Sequence, residues 1–314
     1  MTEVNHGTTD RSALDSAVLK HRQEERSDHV SGTRELTHNR TPLVSVVIPS
    51  RNSENTIADC LKSVISQLHR PLEIIVVDSF STDSTAEIAK TMGATVMLYN
   101  GGRSAQKNWG ARFANGEYLY FVDSDFKLEP NVISSCLEAI KSADGVVIRN
   151  QDIPSGSRLS QLIASRRRIL SYDPLNVAIR FVKREVFYNL GGFDQELYVG
   201  QDTEFHRRFL ERGFKMRYSE AREWHLGSPV NWKDFLTGNL YYSPNVMKSA
   251  SRDPLYSIKR TNPLRTVSAW KKSDPRPSDL LPVVFFGFLS NVTLLIGFFL
   301  RLRSSERTNT STRA

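Results

Sequence analysis

Cysteine is almost missing from this sequence. Cys60 and Cys136 are the two, and neither sits in a CxxC pair or at metal-ligand spacing. That excludes a disulfide framework and a cysteine-built zinc site, and both are expected to be buried thiols of a reducing compartment. The first 30 residues hold no apolar h-region, so no secretory signal peptide is expected. Residues 1–41 contain no Trp, Phe or Tyr and mix both signs of charge, which predicts a disordered polar head. Glycine is absent from "PSRNSEN" (49–55), directly after the first strand-like run. A GxGxxG dinucleotide fingerprint needs glycine there, so a Rossmann oxidoreductase is excluded. Charge is absent from 280–300, "LLPVVFFGFLSNVTLLIGFFL", where 15 of 21 residues are strongly apolar.

What is present is an ordinary globular composition with a basic surplus. The formal charge is +8 and the isoelectric point about 9.5. An anionic partner is implied: nucleic acid, a phosphorylated ligand or a membrane surface. The head is balanced, with six Lys/Arg against seven Asp/Glu over 1–40, whereas 251–279 carries seven against three. That surplus lies beside the apolar run, where anionic lipid accounts for it, so no nucleic-acid partner is expected.

Five apolar runs have strand length: 43–49, 72–78, 94–99, 117–123 and 145–150. Continuous apolar runs read as strands covered on both faces, the mark of a parallel sheet. Helical patterns lie between them. Over 53–67 and just beyond, Ile57, Leu61, Val64, Ile65 and Leu68 recur at helical spacing, and 81–93 has Ser/Asp start signals and a Gly stop. A further helix is expected from about Gln201 to Arg212. Alternating β and α predicts an α/β domain whose ligands sit outside the carboxyl ends of the strands.

Acids stand at those ends: Asp78, then Asp123 and Asp125 in "EYLYFVDSDFKLEP" (117–130). In extended backbone, residues two apart share a side, so Asp123 and Asp125 are expected to converge and to need a positive partner. A divalent cation, Mg²⁺ or Mn²⁺, suits two carboxylates and would in turn hold a diphosphate. A phosphohydrolase is the rival, but its acids would follow the first strand of the domain rather than the fourth.

Four stretches together carry a resemblance: "VSVVIPSRNSENTIADCLKSVISQ", "EIIVVDSFSTDST", "GRSAQKNWGARFANGEYLYFVDSD" and "GGFDQELYVGQDTEFHRRFLERG". In this order and spacing, from about Val44 to about His225, the chain resembles the family-2 glycosyltransferases of GT-A fold. The resemblance implies a mostly parallel, Rossmann-type sheet flanked by helices. It implies that Pro49, Ser50, Arg51, Asn52 and Glu54 cradle the base and ribose of a nucleotide sugar, and that Asp78 bonds the base. It implies that Arg103, with Lys107 as the weaker candidate, faces nucleotide or phosphate. Asp123 would reach ribose and metal, Asp125 metal, and His225 an additional metal or phosphate contact. Asp202 would be the catalytic base of an inverting transfer, with Glu204 close enough to be a rival. Two departures stand out: "DSFSTDST" follows the second strand, and Gln201 replaces the usual acid before the catalytic Asp. QxxRW is missing, which argues against a processive polysaccharide synthase.

The expected organisation is therefore a head (1–41), a GT-A domain (42–228), an aromatic and basic membrane-proximal segment (229–279), a transmembrane helix (280–300) and a polar tail (301–314). A run of about 20 apolar residues is long enough to cross a bilayer. The expected protein is single-pass in the cell membrane, its catalytic domain facing the cytosol. Its expected acceptor is a membrane lipid, a polyprenyl phosphate or a lipid-linked glycan. The alternatives are a soluble or polysaccharide acceptor, and, from another class, a non-catalytic nucleotide- or anionic-lipid-binding membrane protein.

Overall fold

The computed structural model describes residues 41–296 apart from 155, 198, 227–230, 275, 278, 282 and 294. The expected head, Thr41 apart, and the expected tail lie outside the described residues.

The strands are β1 (Val44–Ser50), β2 (Leu72–Asp78), β3 (Thr95–Leu98), β4 (Tyr118–Phe121), β5 (Phe126–Leu128), β6 (Gly145–Asp152), β7 (Ile179–Lys183) and β8 (Met216–His225). They form one sheet in the order β3-β2-β1-β4-β7-β6-β8-β5. β1 pairs in parallel with β2 and β4, β2 with β3, and β6 with β8. β7 runs antiparallel to β4 and β6, and β5 antiparallel to β8. The fold is α/β as expected, but the sheet is mixed rather than mostly parallel. Four of the five apolar runs form the parallel half, β1 to β4, and the fifth, 145–150, is β6 in the mixed half. β3 departs from that reading: it is an edge strand, and Leu98 is exposed.

β1 is buried along its whole length because helices cover both faces. Val44, Val46 and Ile48 enter one core with Ile57, Cys60, Leu61 and Val64 of α1 (Ile57–Ile65). Val47 enters the other with Ile75, Val77, Phe121 and Phe205. Each fully buried Val, Leu, Ile or Phe contributes about 1.5–3 kcal/mol. The α1 helix ends at Ile65, so Leu68 falls off its apolar face and is exposed. Both cysteines are free and buried.

Next along the chain come α2 (Thr85–Thr91), α3 (Arg103–Phe113), α4 (Val132–Ile140) and α5 (Arg158–Leu170). Gly110 lets α3 lie close on the sheet: a Cβ there would stand 2.5 Å from Val47 Cγ1 and 3.0 Å from Val77 Cγ2. α6 (Arg184–Asn189) leads into the "GGFD" turn, where Gly191 and Gly192 have φ of 78° and 72°, and α7 (Gln201–Glu211) comes after it. Only glycine takes such φ values without strain.

The segment after 230 is helical. α8 (Trp232–Arg252), α9 (Pro254–Thr261) and α10 (Pro263–Lys272) begin at Asn231, Asp253 and Asn262, whose side chains accept from Asp234 N, Tyr256 N and Leu264 N. Proline opens α9 and α10, where its missing N–H costs nothing. The backbone at 283–293 is helical too. Val283 packs with Ile169 and Ala269, Phe286 with Leu159 and Phe235, and Thr293 Oγ1 accepts from Asn239 Nδ2 at 2.8 Å. No helix among the described residues is long and apolar enough to cross a membrane. The expected spanning helix is thus not found among them; 282, 294 and 297–300 of it lie outside, and the described part lays one face on α5, α8 and α10.

Candidate active site

The parallel strands β1, β2 and β4 end on one crest, as their registers require. At the first position Ser50 and Asp78 are direct partners in register, and Ser50 Oγ donates to Asp78 Oδ1 at 2.9 Å. Ser81 gives Asp78 two more donors, its N–H at 2.8 Å and its Oγ at 2.5 Å. Asp78 is therefore buried among neutral donors. The loop after β1 is stapled to the loop after β2. Asn52, at φ 49°, accepts from Thr82 N at 2.9 Å and donates its N–H to Ser81 Oγ at 2.8 Å. Glu54 accepts from Ser84 N at 3.2 Å. Pro49 is buried in β1 and Arg51 is exposed. Of the expected cradle, Asn52 and Glu54 have a structural use that the sequence did not indicate.

The second position is charged. β4 ends at Phe121 and the chain turns at 124–125, so Asp123 and Asp125 do not share an extended strand. The extended-strand argument for their convergence does not hold at this turn, and the two acids have different partners: Lys107 and Arg180 for Asp123, His225 for Asp125. Lys107 Nζ lies 3.2 Å from Asp123 Oδ1, and Arg180 Nη2 lies 3.3 Å from Asp123 Oδ2. Burial alone would raise the Asp123 pKa, but Lys107, Arg180 and Arg103 outweigh it and hold the carboxyl well below the usual range. Arg103 is in turn held charged, chiefly by Asp123. Asp125 is more open and places Oδ2 3.1 Å from His225 Nε2. The antiparallel β5–β8 pairing puts Phe126 opposite His225, which delivers the imidazole. His225 Nδ1 meets Asp152 Oδ1 at 3.1 Å. Burial would lower the His225 pKa, yet the bonds to Asp125 and Asp152 raise it.

Lys107 also reaches Asp202 Oδ1 at 2.9 Å, so one ammonium, 1 % exposed, joins the β4 end to α7. Asp202 is not the helix cap; Gly200, at φ 82°, holds that place and leaves the carboxylate in the first turn. Glu204, the rival, is committed to Arg208 at 2.6 and 2.8 Å. The α3 motif "GRSAQKN" organises these parts. Gln106 donates to Ser50 O at 2.8 Å and Val77 O at 2.6 Å, Ser104 to Leu197 O at 3.0 Å, and Asn108 Nδ2 to Phe193 O at 2.8 Å. Alternate residues of one helix thus grip the loop that leads to Asp202 and the strand crest, from opposite sides of the helix.

Sequence reading missed Arg180 and Glu223. Both are charged residues inside strands, and both are buried. Glu223 Oε2 lies 3.6 Å from Arg180 Nη1, and Glu223 Oε1 accepts from Tyr120 Oη at 2.6 Å. Burial leads in raising the Glu223 pKa. For Arg180 the available signal was a charge within the largely apolar β7; β8, polar along its length, offered none for Glu223. Beyond Asp202 opens a cavity of about 310 Å³ that Arg149, Arg167, Arg180 and Phe286 help to line.

Residues 45–212 match the domain described as Glycosyl transferase family 2. The chain belongs to glycosyl transferase family 2. Among curated relatives, glycosyltransferase GlyG of Streptococcus pneumoniae is 32 % identical over 113 residues, covering 34 % of this chain and 38 % of GlyG. Hyaluronan synthase of Pasteurella multocida is 33 % identical over 132 residues, 39 % of this chain and 14 % of that protein. The chain thus matches well under half the length of these two relatives. Mannosyltransferase PcManGT of Pyrobaculum calidifontis, solved with GDP-Man and Mn²⁺, shares the fold with a TM-score of 0.58 at 16 % identity, over 92 % of this chain and 96 % of that one. The fold is GT-A-like, a mixed sheet flanked by helices.

Proposed function

We propose that this chain is an inverting glycosyltransferase that moves a sugar from a nucleotide-sugar donor to an acceptor held at a membrane. The observation that carries the reading is the buried Lys107 bonded to both Asp123 and Asp202. It fixes a donor-side carboxylate and a candidate base on one charge.

In this reading Asp78 and Ser50, with their neutral hydrogen-bond network, bind the nucleoside, and Arg103 and Lys107 face the diphosphate. Asp202 Oδ1 is taken by Lys107, which leaves Oδ2 for the acceptor. The acceptor hydroxyl oxygen attacks the anomeric carbon while the bond from that carbon to the diphosphate oxygen breaks. The electron pair leaves with the nucleoside diphosphate, the proton goes to Asp202, and the anomeric centre inverts.

The donor set suits a hard cation. Among the described residues no three His, Cys, Asp or Glu side chains are poised to cage an ion, so Mg²⁺ or Mn²⁺ would rest on few protein ligands and on substrate phosphate oxygens. Asp125 is the more open carboxylate, with His225 beside it, while both Asp123 oxygens already face cations. When bound, such an ion would neutralise charge on the leaving diphosphate.

The membrane side of the reading is supported by the C-terminal helices. They expose Leu255, Ile258, Leu264, Leu281, Phe285 and Phe288. Leu281, Phe285 and Phe288 share one helical face. That face suits a helix lying on lipid. A lipid-linked acceptor is the natural consequence, with the catalytic domain on the cytosolic side, where nucleotide sugars are made.

The test is a panel of nucleotide sugars with purified full-length chain, lipid-linked and soluble acceptors, and Mn²⁺ or excess EDTA. Sugar transfer with inversion, lost in EDTA and in Asp125→Ala, is the expected result. Release of nucleoside diphosphate from no donor on the panel would overturn the transferase reading, and full activity in EDTA the metal.

A further inference from the structure

The cavity beyond Asp202 is not lined like a neutral sugar cleft. Four arginines line it, Arg149, Arg166, Arg167 and Arg180, against one carboxylate, Asp202. Its volume, about 310 Å³, is at the small end of ligand clefts. None of Ser50, Asp78 and Asp123 lines it, so it lies on the acceptor side of the base.

Two of the arginines are engaged by carboxylates outside the lining. Arg167 Nε meets Asp152 Oδ1 at 3.0 Å, and Arg180 meets Asp123 and Glu223 at 3.3 and 3.6 Å. Arg149 is held differently. Its guanidinium carbon lies 4.7 Å from the Tyr172 ring centre and 4.4 Å from that of Tyr218. No ion pair holds it among the described residues, and its Nε is buried there without a hydrogen-bond partner. Aromatic faces fix a guanidinium in place without consuming its N–H groups. An ion pair would have used them. A planar, immobilised fork with unused donors is the arrangement that takes a phosphate through two parallel bonds.

We infer that this cavity is a phosphate-reading acceptor subsite: Arg149, clamped between Tyr172 and Tyr218, binds a phosphoryl group carried by the acceptor sugar beside the hydroxyl that Asp202 serves. The inference rests on the transferase reading and names its acceptor class. Neutral polar groups of Asn150, Ser171 and Thr203 also line the cavity and suit the hydroxyls of that sugar. The phosphoryl group has two possible sources, a lipid-linked glycan or a soluble sugar phosphate.

The experiment uses the full chain with its nucleotide-sugar donor. For each hexose of a panel the acceptor is offered as a prenyl-diphosphate conjugate, as the free hexose phosphate and as the methyl glycoside. The phosphorylated forms are expected to have an acceptor KM lower by about tenfold or more, the size of a charge-assisted hydrogen bond. A lower KM for the conjugate than for the hexose phosphate assigns the lipid source; the reverse assigns the soluble one. Arg149→Gln is expected to remove the preference for phosphate, and Arg149→Lys, which keeps charge but loses the fork, to restore part of it. Arg158→Gln, an exposed arginine of α5 outside the cavity, is the charge control and should keep the full preference. Binding of the phosphorylated acceptors is also measured by calorimetry in wild type and both variants, so a folded but inactive chain still reports. Equal KM for phosphorylated and neutral acceptors, or a preference that survives in a folded Arg149→Gln, overturns the inference. Donor turnover without phosphate preference removes this subsite and leaves the transferase. Arg149-dependent binding without turnover of any donor removes the transferase instead.

Discussion

Two buried aspartates stand at the ends of the strands on either side of β1 and are satisfied by opposite means. Asp78 is 1 % exposed and accepts from two serine hydroxyls and a backbone N–H. Asp123 is 9 % exposed and sits between an ammonium and a guanidinium. Neutral donors leave Asp78 its negative charge, suited to polar groups of a nucleoside. Cations cancel the charge of Asp123 and extend it into a network that includes Asp202 and Glu223. In the proposed function, one end reads a neutral ligand part and the other handles a part whose charge changes during reaction. Low local dielectric makes the second arrangement the more sensitive to loss of any member.

The largest expected effect breaks the charged end at its acceptor side. Asp202→Asn keeps shape and one hydrogen bond to Lys107 but removes basicity. We expect kcat to fall about 10²–10⁴-fold, the range for a general base, with donor KM little changed. Glu204→Gln, by contrast, should keep substantial transfer, because Glu204 is engaged by Arg208 and Arg207 of its own helix. Steady-state kinetics on both variants decides it: an inactive Glu204→Gln beside an active Asp202→Asn reverses the assignment.

A second experiment sets the two aspartates against each other. Asp123→Ala leaves Lys107 and Arg180 each short of a partner in a buried site, and removing one member of a buried pair costs about 3–5 kcal/mol. Asp78→Ala strands neutral donors only, at about 1–3 kcal/mol. Urea unfolding of the two variants should therefore rank Asp123→Ala as the less stable. Equal losses would mean that the charges at the β4 end do not act as a buried network.

The two strand ends also differ from the rest of the molecule in how far the sequence was legible. β1, β2 and β4 announce themselves because strands covered on both faces must be apolar throughout, and Asp78 and Asp123 stand out at their ends. α7 lies where a helix was expected, from about Gln201 to Arg212, while Asp202 was singled out by the family resemblance. β8 was not read as a strand: its burial alternates along "MRYSEAREWH" with polar residues on both faces. Its partners β5 and β6 are remote in sequence, and such pairing carries no local signal. The family resemblance had named His225 at its end, but the contact of Glu223 with Arg180 was hidden with the strand. The resemblance made Lys107 a weaker candidate than Arg103, and nothing in the local sequence showed that it is buried. Its burial comes from Gly110 drawing α3 onto the sheet, which is a packing fact. The apolar run at 280–300 has a composition that fits lipid, and composition does not show that one face of its described part is covered by α5, α8 and α10.

The smallest expected effect tests whether ion pairing matters by type or by place. Asp173, after α5, is bonded by Arg265 of α10, with Arg265 Nε 3.3 Å from Asp173 Oδ2. This is the same chemistry as the crest, but the arginine side chain is 33 % exposed. Water therefore competes, and a pair of this kind is worth about 0–1 kcal/mol. Arg265→Ala should cost about that much at neutral pH, well below Asp123→Ala. Burial tends to raise the Asp173 pKa, but the bonds from Arg265, Leu175 N and Asn176 lower it on balance. A carboxyl with a lowered folded pKa lends stability above its ordinary value of about 4, and that stability is lost as pH falls through the folded value. The difference between wild type and Arg265→Ala should accordingly be full at pH 7 and shrink on acidification below about pH 4. Urea unfolding at both ends of that range measures it. A loss at pH 7 as large as that of Asp123→Ala would mean that exposure does not set the strength of these pairs, and the contrast between the crest and the C-terminal layer would fall with it.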